Sequence, residues 1–472
     1  MKKKLIIGFN VLMLVLIAVS CKVASNIKAD VKVPDQYSRA VQNSEDTTTI
    51  ADIRWSDFFK DTTLQRLIER GINHNYDLLV ALTRISASRE KLKQAKVLQF
   101  PSLNFSLAAQ SFNPSQNSLN GISLGNFLGQ KHIEDYNAAF NLNWEADIWG
   151  KIKSQKEKVR SQYLQTYEAK NTIQTQIVAN IAHGYFNLLM LDEQLDITKS
   201  NLQLNDTILS ITKLQYNAGI VSILALEQAE AQKQSLNVLI PQLELNIAVQ
   251  ENALSVLTGA MPDVIRRDAR LSDVQVPTTL QSGFPAGLLS RRPDIRALEL
   301  DVRIRNSQVG IAQANMYPAL TITASGGINS FQLSNWFQTP ASLFGNILGG
   351  LTQPVFQRRT LKTNLNVAKI QREESVLEFR RGVLVAVGEV SDALVQNDKL
   401  KLQAEIGFKQ VATLQRAISN AQQLYNSGLA NYLEVLIVQG NALQSELNLS
   451  SIRRQQLSAM VDLYRSLGGG WK

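Results

Sequence analysis

The stretch Gln99-Phe100-Pro101-Ser102-Leu103 decides the fold, because the spacing of apolar residues changes there from helical to strand-like. Before it, apolar residues recur every three or four positions, at Leu78, Leu82, Ile85, Leu92 and Ala95. After it they alternate with polar ones, at Leu103, Phe105, Leu107 and Ala109. Proline suits such a boundary, since it cannot continue a helix and favours extended geometry in the preceding residue. We therefore predict a helix-to-strand junction at Pro101.

The same change recurs 217 positions later, in Met316-Tyr317-Pro318-Ala319-Leu320, which predicts a second junction at Pro318. Two further segments also recur. Tyr216-Asn217-Ala218-Gly219 returns as Tyr425-Asn426-Ser427-Gly428 at an offset of 209, and Gly125–Gly129 returns as Gly345–Gly349 at an offset of 220. The chain is therefore predicted to be a duplicated unit, and the change of offset indicates 11 additional residues in the first repeat, most simply in its first loop.

The predicted organisation has two repeats of helix, strand, loop, strand and two long helices. We expect a signal peptide at 1–20, an extended N-terminal segment at 21–62, a first repeat at 63–262, a linker at 263–285 and a second repeat at 286–472. In the first repeat we expect one helix at 64–98 and strands at 102–111 and 137–145, joined by a loop rich in Gly, Asn and Ser at 113–135. Long helices are expected at 151–218 and 222–258, the last kinked at Pro241. In the second repeat, whose first helix opens at Arg291–Ile295, we expect strands at 319–328 and 347–355 and long helices at 358–427 and 431–467.

The N-terminus has the pattern of an exported lipoprotein. Lys2 to Lys4 precede an apolar run from Leu5 to Val19 that is short for a membrane span, and Ala18-Val19-Ser20-Cys21 resembles a lipobox. Cys21 is the only cysteine, so it cannot form an internal disulfide. We expect it to be lipidated; the alternative is an incidental cysteine in a discarded leader.

The composition disfavours nucleic-acid binding. The net charge is +9, and the three N-terminal lysines account for part of it, leaving +6 after their removal. No basic stripe interleaved with aromatic residues accompanies that mild excess.

Four strands cannot cross a bilayer as an open sheet, because its edges would leave backbone groups unsatisfied in hydrocarbon. Single-chain barrels begin at about eight strands. If the four strands span a membrane, more than one chain must contribute to the barrel.

These features resemble the TolC-like outer-membrane efflux proteins, in particular the lipidated OprM/NodT-type branch. The motifs that carry the resemblance extend over most of the chain: Val33–Tyr37, Trp55–Phe59, Trp144–Gly150, Leu288–Ile295, Met316–Leu320 and Leu351–Phe356.

The resemblance implies a homotrimer with a 12-stranded β-barrel in the outer membrane, joined to a long periplasmic α-helical barrel. It implies a passive duct without enzymatic activity or cofactor, which exports drugs or other small toxic compounds. The expected partners are a periplasmic adaptor protein, an inner-membrane RND-type pump and outer-membrane lipid.

In this family the tips of the helical hairpins contact the adaptor. The matching residues here are Tyr216, Gly219 and Ser222 in the first hairpin and Tyr425, Gly428 and Asn431 in the second. Three positions depart from the family pattern. Gln215 stands where the family has a basic residue, and Ala225 and Ile437 stand at acidic positions. Glu434 has two interpretations: an acidic ring at the aperture, or a solvated carboxylate on a helix surface.

Other candidate sites have simpler structural explanations. Glu145 and Asp147 could form a catalytic carboxylate pair, but positions where a strand leaves the membrane beside Trp144 and Trp149 explain them better. Asp294 is interpreted as a charge at a helix start, with a contact between repeats as the alternative. The three histidines share no ligand spacing, so no metal site is expected: His74, His132 and His183.

Three functions remain to be distinguished. The first is the duct of an RND-type efflux pump. The second is the same fold serving ABC-driven type I secretion or heavy-metal efflux. The third is a structural coiled-coil lipoprotein, which the alternating pattern at Leu103–Ala109 and Phe140–Trp144 disfavours.

Overall fold

A computed structural model describes residues 49–274 and 287–472. The helices of more than three residues are α1 (Trp55–Phe58), α2 (Thr62–His74), α3 (Tyr76–Val97), α4 (Leu119–Leu128), α5 (Lys151–Asn217), α6 (Ile223–Leu257), α7 (Leu288–Arg291), α8 (Pro293–Ala314), α9 (Thr360–Asn426) and α10 (Tyr432–Ser466). The strands are β1 (Ser102–Phe112), β2 (Ile133–Ala146), β3 (Ala319–Ser330) and β4 (Leu343–Thr352). Short 3-10 turns lie at Ile50–Asp52, Leu271–Asp273 and Leu333–Asn335.

The described residues divide into two compact units. The strand unit comprises Ser86–Leu164 and Leu300–Leu377, and the helical unit comprises 49–85, 165–274, 287–299 and Glu378–Lys472.

The strand unit contains one antiparallel sheet in the order β1-β2-β3-β4. Leu103 lies opposite Leu142, Leu142 opposite Ala324, and Ala324 opposite Ile347, so one row of side chains crosses all four strands. Since successive strands are neighbours, the outer edges of β1 and β4 have no strand partner within the described chain.

The helical unit is organised around a core at the middle of α5. Its fully buried residues include Ile181, Tyr185 and Leu188 of α5, which pack with residues of α2, α6 and α10. The aromatic residues near the start of the described chain join this core: Phe59 is buried, and Phe58 stacks on Tyr464 with ring centroids 4.1 Å apart. Burial of this apolar surface is the main source of stability in the unit.

The two halves of the chain have matching elements. α3 and α8 both have 22 residues, α5 and α9 both have 67, and α6 and α10 both have 35. A 67-residue helix is about 100 Å long. The strand connections differ, with residues 113–132 joining β1 to β2 and only 331–342 joining β3 to β4.

This difference places the length change in the first loop, as predicted, but changes its size. Sheet register pairs Ser102 with Asn143 and Ala319 with Thr352, so the offset between the repeats passes from 217 to 209 within the strand connection. Gly125–Gly129 belongs to the end of α4, whereas Gly345–Gly349 lies in β4. The two pentapeptides are therefore not structural equivalents, and the predicted 11-residue difference was wrong; the first connection is about eight residues longer.

Two further expectations about the elements were wrong. The helix predicted at 64–98 is two helices, because Asn75 ends α2 with extended backbone (φ −64°, ψ 128°) and its Oδ1 accepts from the amides of Asp77 and Leu78 to cap α3. The loop predicted at 113–135 contains α4. The long helix α6 contains Pro241 and runs unbroken, in agreement with the single helix predicted at 222–258.

The strands also differ in their ends. β2 begins at Ile133 rather than 137, and β4 runs from Leu343 to Thr352 rather than from 347 to 355. Residues 1–48, with the predicted signal peptide and Cys21, and residues 275–286 of the predicted linker lie outside the described residues.

Along the described ranges, no helix combines the length and apolar character needed to cross a membrane.

Candidate functional site

The two hairpin tips have the same backbone geometry. In the first, the amide of Ile220 donates to the carbonyl of Gln215 and the amide of Gly219 to that of Tyr216; in the second, Leu429 and Gly428 do the same to Leu424 and Tyr425. Gly219 and Gly428 have φ of +71° and +73°. These are Schellman caps, in which only glycine adopts the left-handed conformation without strain.

Tyr425 is buried, whereas a contact with the adaptor would require an exposed side chain. The residue is 4% exposed, its hydroxyl lies 3.2 Å from Thr212 Oγ1, and the hydroxyl donates to Gln215 Oε1. Thr212 and Gln215 belong to α5, so Tyr425 links the second hairpin to the first. This polar link lies beside a small apolar cluster that includes Ile208, Ala229 and Val435.

The neighbouring Tyr432 completes the buried part of the tip. Its ring centroid is 6.4 Å from that of Tyr425, and its hydroxyl has no hydrogen-bond partner within the described residues. Burial, with a smaller contribution from Tyr425, raises the pKa of Tyr432 to about 12.

The other predicted tip residues are exposed. Tyr216, the 209-position equivalent of Tyr425, is 38% exposed, and Gly219, Ser222 and Gly428 are exposed as well. Asn431 is exposed and caps α10, because its Oδ1 accepts from the amide of Glu434 at 3.0 Å.

Glu434 and Ile437 are both exposed on the first turns of α10. The carboxylate of Glu434 therefore faces open space in the single chain, which fits both of its interpretations.

At each helix-to-strand junction, a side chain at the end of the paired strand donates a hydrogen bond to a backbone carbonyl. The carbonyl belongs to the residue two positions before the proline. Trp144 Nε1 donates to the Gln99 carbonyl at 2.8 Å, and Gln353 Nε2 donates to the Met316 carbonyl at 3.1 Å. Trp144 and Gln353 are equivalent at the offset of 209. Pro101 and Pro318 thus stand in two junctions built on one plan with different donors.

Glu145 and Asp147 make separate structural contacts. Glu145 pairs with Lys151 at 2.9 Å, whereas the carboxylate of Asp147 accepts from the amides of Ile152 and Lys153 at 2.8 Å each. Asp147 thereby caps the start of α5. Beside them, Trp149 Nε1 donates to the Pro318 carbonyl at 2.7 Å and its ring stacks on Tyr317.

The sheet has two chemically different faces. The register brings apolar residues together on one face: Leu103, Phe105, Leu107, Phe140, Leu142, Ile322, Ile328, Ile347 and Leu351. The other face carries mainly polar ones: Asn104, Ser106, Gln110, Asn137, Asn141, Asn143, Thr321, Thr323, Ser325, Asn329 and Asn346. The apolar face is largely open, with Leu107 66% and Ile347 80% exposed. The charged residues of the strands lie near the ends of β2, at Glu134, Asp135 and Glu145.

Asp294 lies in the first turn of α8, where it was predicted as a charge at a helix start. Its carboxylate pairs with the buried guanidinium of Arg292, which also contacts Glu389 at 2.6 Å and the Ser466 carbonyl at 3.2 Å. In the first repeat, Asn75 Nδ2 donates to the Leu257 carbonyl at 2.9 Å. Asn75 and Arg292 are equivalent at the offset of 217, and Leu257 and Ser466 at the offset of 209. In each repeat, the residue before the 22-residue helix therefore donates a side-chain hydrogen bond to a carbonyl at the end of the 35-residue helix.

The histidines are apart in sequence and differ in their contacts; His183 lies 3.2 Å from Asp462. In residues 49–274 and 287–472, no group of three or more His, Cys, Asp or Glu side chains is arranged to hold a metal ion.

Several structurally important residues were missed from the sequence. Tyr425 and Gln215 were noted as tip positions, but their hydrogen bond to each other was missed, because it joins residues 210 positions apart. The donors Trp144 and Gln353 differ in chemistry, so their equivalence is visible only after the offset of 209 is applied to the strands. The apolar helix α4 was obscured by its glycines and asparagines.

Comparison with known proteins identifies the family. The sequence pattern described as "Outer membrane efflux protein" matches residues 67–260 and 285–469. "Probable outer membrane lipoprotein SilC" of Salmonella typhimurium is 27% identical over 441 residues, covering 93% of each chain. "Toluene efflux pump outer membrane protein TtgF" of Pseudomonas putida is 28% identical over 428 residues, covering 90% of this chain and 87% of TtgF.

The fold agrees with these sequence relationships. A crystal structure of CusC, from work on transmembrane channel formation by that protein, superposes with a TM-score of 0.83 at 26% identity, covering 95% of this chain and all of the CusC chain. The family match covers most of the chain and both of its hairpins. The chain therefore belongs to the outer membrane efflux protein family, the channel components of efflux systems in the bacterial outer membrane.

Proposed function

We propose that three copies of this chain form a passive duct, with a 12-stranded β-barrel in the outer membrane and an α-helical barrel in the periplasm. Small toxic compounds pass through it after delivery by an inner-membrane RND-type pump and a periplasmic adaptor. The main support for the proposal is the sheet, which has one apolar and one polar face and no strand partner at either edge within the described chain. The chain itself performs no chemistry.

The sheet has the chemistry of a barrel wall. Its open apolar face suits lipid, and its Asn-, Ser- and Thr-rich face suits a water-filled interior. The two free edges of a four-stranded sheet require strand partners in hydrocarbon. Pairing of β4 of one copy with β1 of the next provides these partners. Trp144 and Trp149 at one end and Trp336 near the other fit the aromatic girdles of such barrels.

A contact within the helical unit supports the association of copies. On α5, Glu168 and Thr175 are 6% and 8% exposed. Arg296 of α8 pairs with Glu168 at 2.8 Å, and the chain near Gly470 lies over Thr175. This face of α5 is thus covered by the second repeat of the same chain.

The equivalent positions in the other repeat are apolar and uncovered. Leu377 and Leu384 of α9 replace Glu168 and Thr175 and are 61% and 68% exposed. The counterparts of Arg296 and Gly470 are Leu79 and Met261, which are 39% and 86% exposed. We expect a neighbouring copy to repeat the internal contact, so that Leu79 and Met261 of one copy pack on Leu377 and Leu384 of the next. Each chain then contributes one surface to the contact on either side, and the same interface repeats around the assembly.

The exposed tip residues are the proposed adaptor surface. Tyr216, Gly219 and Ser222 in the first hairpin and Gly428 and Asn431 in the second remain open in the single chain. Tyr425 acts instead as an internal link between hairpins. Three copies of Glu434 form an acidic ring at the aperture if the α10 helices line the axis there.

Lipidated Cys21 anchors the duct in the outer membrane. Stable anchoring by lipid needs more than one acyl chain or a second membrane contact, and the barrel provides the second contact here.

The exported substrate has two candidates. Organic compounds are favoured by the relationship to TtgF, a toluene efflux protein. Metal cations are the second candidate, because the Escherichia coli relative "Cation efflux system protein CusC" is 27% identical over 441 residues, 93% of each chain.

Deletion of the gene, in a strain without a duplicate channel, tests the function. We expect greater susceptibility to several unrelated dyes, detergents and solvents, restored by the wild-type gene. Greater susceptibility to copper and silver salts alone would identify the cation alternative. Unchanged susceptibility to all of these compounds would contradict an efflux function.

A further inference from the structure

The helix α4, in the connection from β1 to β2, is apolar and exposed. Residues 113–130 contain no charged side chain. Leu119, Ile122 and Phe127 are 84%, 52% and 88% exposed. The helix is nonetheless well defined at both ends, because Ser118 Oγ accepts from the amide of Gly121 at 3.1 Å and Gly129 has φ +64°.

The contacts of α4 place it on one side of the sheet. Leu124 and Phe127 line a groove of about 340 Å³ together with Phe112 and Ile133, the last residue of β1 and the first of β2. Phe112 and Ile133 lie opposite each other in the register. Because side chains alternate along a strand, both are on the face that carries Ser106 and Gln110. The helix α4 therefore leans over the polar face.

The connection from β3 to β4 does the opposite. Trp336 packs on Tyr136 with ring centroids 5.5 Å apart and donates from Nε1 to the Ile328 carbonyl at 3.4 Å. The Tyr136 side chain is on the apolar face, in the row of Phe140 and Leu142. At this end of the sheet, one connection thus covers the apolar face and the other overhangs the polar face.

We propose that the three copies of α4 meet over the outer mouth of the duct and form an apolar constriction through Leu119, Ile122 and Phe127. This inference rests on the proposed trimeric barrel, in which the polar face lines the water-filled interior. An exposed apolar helix on that side cannot reach lipid, so the surfaces that can cover it are the other two copies of α4. Repetition around the threefold axis closes the contact without leaving an unpaired surface.

The constriction has a consequence for what passes through the duct. A narrow apolar ring resists hydrated ions, because water leaves it readily and ions cannot shed their hydration there. Apolar and amphiphilic compounds do not meet this barrier. The structure therefore assigns to α4 a selectivity between organic substrates and small ions at the exit.

Cysteine substitution tests the contact, using the full-length protein in outer-membrane vesicles. Phe127→Cys is expected to give disulfide-linked dimers on mild oxidation, because two of three copies at an axis can pair. Phe337→Cys, in the other connection, is the matched control; Phe337 is 71% exposed and adjoins Trp336 on the apolar side. It is expected to stay unlinked. Equal linking of both variants, or linking of neither, would overturn the contact.

Single-channel conductance in planar bilayers tests the constriction. The double variant Ile122→Ser, Phe127→Ser is expected to raise potassium conductance by about twofold or more, since a polar ring stays wet, whereas Phe337→Ser leaves it unchanged. A trimer that conducts equally with and without the double substitution would overturn this inference alone. A protein that forms no trimer would overturn the proposed function as well.

Discussion

At the scale of single residues, two glycines separate the effects of backbone strain and steric collision. Gly219 and Gly259 have nearly equal φ, +71° and +68°. A Cβ on Gly219 would meet nothing within 4 Å, whereas one on Gly259 would lie 2.2 Å from the His74 carbonyl oxygen. A Cβ on Gly468, the counterpart of Gly259, would lie 2.9 Å from the carbonyl of Arg291, which is the counterpart of His74.

We predict that Gly219→Ala lowers the free energy of unfolding by about 1 kcal/mol, the strain of a left-handed alanine. Gly259→Ala should lower it by about 1–3 kcal/mol more, because the backbones of α2 and the segment after α6 must separate. Denaturant unfolding of the purified protein measures both. Equal losses would show that the close approach to His74 does not matter.

The buried guanidinium of Arg292 provides a second residue-scale prediction. Its side chain is 8% exposed and neutralises Asp294 and Glu389. Arg292→Ala should cost about 2–3 kcal/mol, less than for a fully buried pair because both carboxylates keep some contact with water. Arg291→Ala is the matched control; its partner Asp52 is more exposed, so about 1 kcal/mol or less is expected.

The same pair predicts a pH dependence. Burial opposes ionisation of Asp294, but the hydrogen bonds and charge of Arg292 outweigh it and lower the pKa of Asp294. A carboxyl whose folded pKa is lowered stabilises the fold above its unfolded pKa, near 4, and this contribution is lost as the pH falls through the folded value. Asp294→Asn should therefore destabilise the protein at pH 7 and have less effect at pH 3. An effect independent of pH would contradict the ion pair.

At the scale of secondary-structure elements, the hairpin tips combine two different tyrosines. Tyr425→Phe should lower stability by about 1 kcal/mol, because Thr212 and Gln215 lose a buried hydrogen-bond partner. Tyr216→Phe, at the exposed equivalent position, should leave stability unchanged. Hydrogen exchange near 208–215 measures local opening of the tip, and faster exchange is expected for Tyr425→Phe alone. Faster exchange in both variants would show that the two positions are alike.

The elements that could be predicted from the sequence are those whose pattern repeats over many residues. Long runs without proline and the alternation after Pro101 and Pro318 are typical of the helices and strands found there. The break at Asn75 was missed because the apolar spacing continues across it, and only the capping role of the Asn75 side chain shows where α3 begins.

Contacts between distant elements were harder to predict. The polar link at the tips and the clamp of Arg292 depend on which helices pack together, and local propensity does not contain that information. The helix α4 depends on caps at Ser118 and Gly129 and on support from Phe112 and Ile133. Its glycines and asparagines favour a loop when considered alone.

At the scale of the whole molecule, the duplication is incomplete in one respect. Glu168 and Thr175 are polar and covered within the chain, whereas their counterparts Leu377 and Leu384 are apolar and exposed. An interface between separate chains is often more apolar than the average surface at its centre. The difference is therefore expected if one repeat makes the contact internally and the other makes it with a neighbouring copy.

This interpretation predicts different outcomes for two adjacent residues of α9. Leu384→Glu places a charge at the counterpart of buried Thr175, while Val385→Glu places it at the counterpart of exposed Gln176. Burying an unpaired carboxylate is costly, so Leu384→Glu should weaken the assembly and Val385→Glu should not.

The mass of the protein extracted from outer membranes in mild detergent, with bound detergent subtracted, tests the central claim most directly. We predict the mass of three chains for the wild type and for Val385→Glu, and mainly that of single chains for Leu384→Glu. A wild-type protein with the mass of one chain would contradict the trimeric duct, and equal masses for all three proteins would contradict the proposed interface.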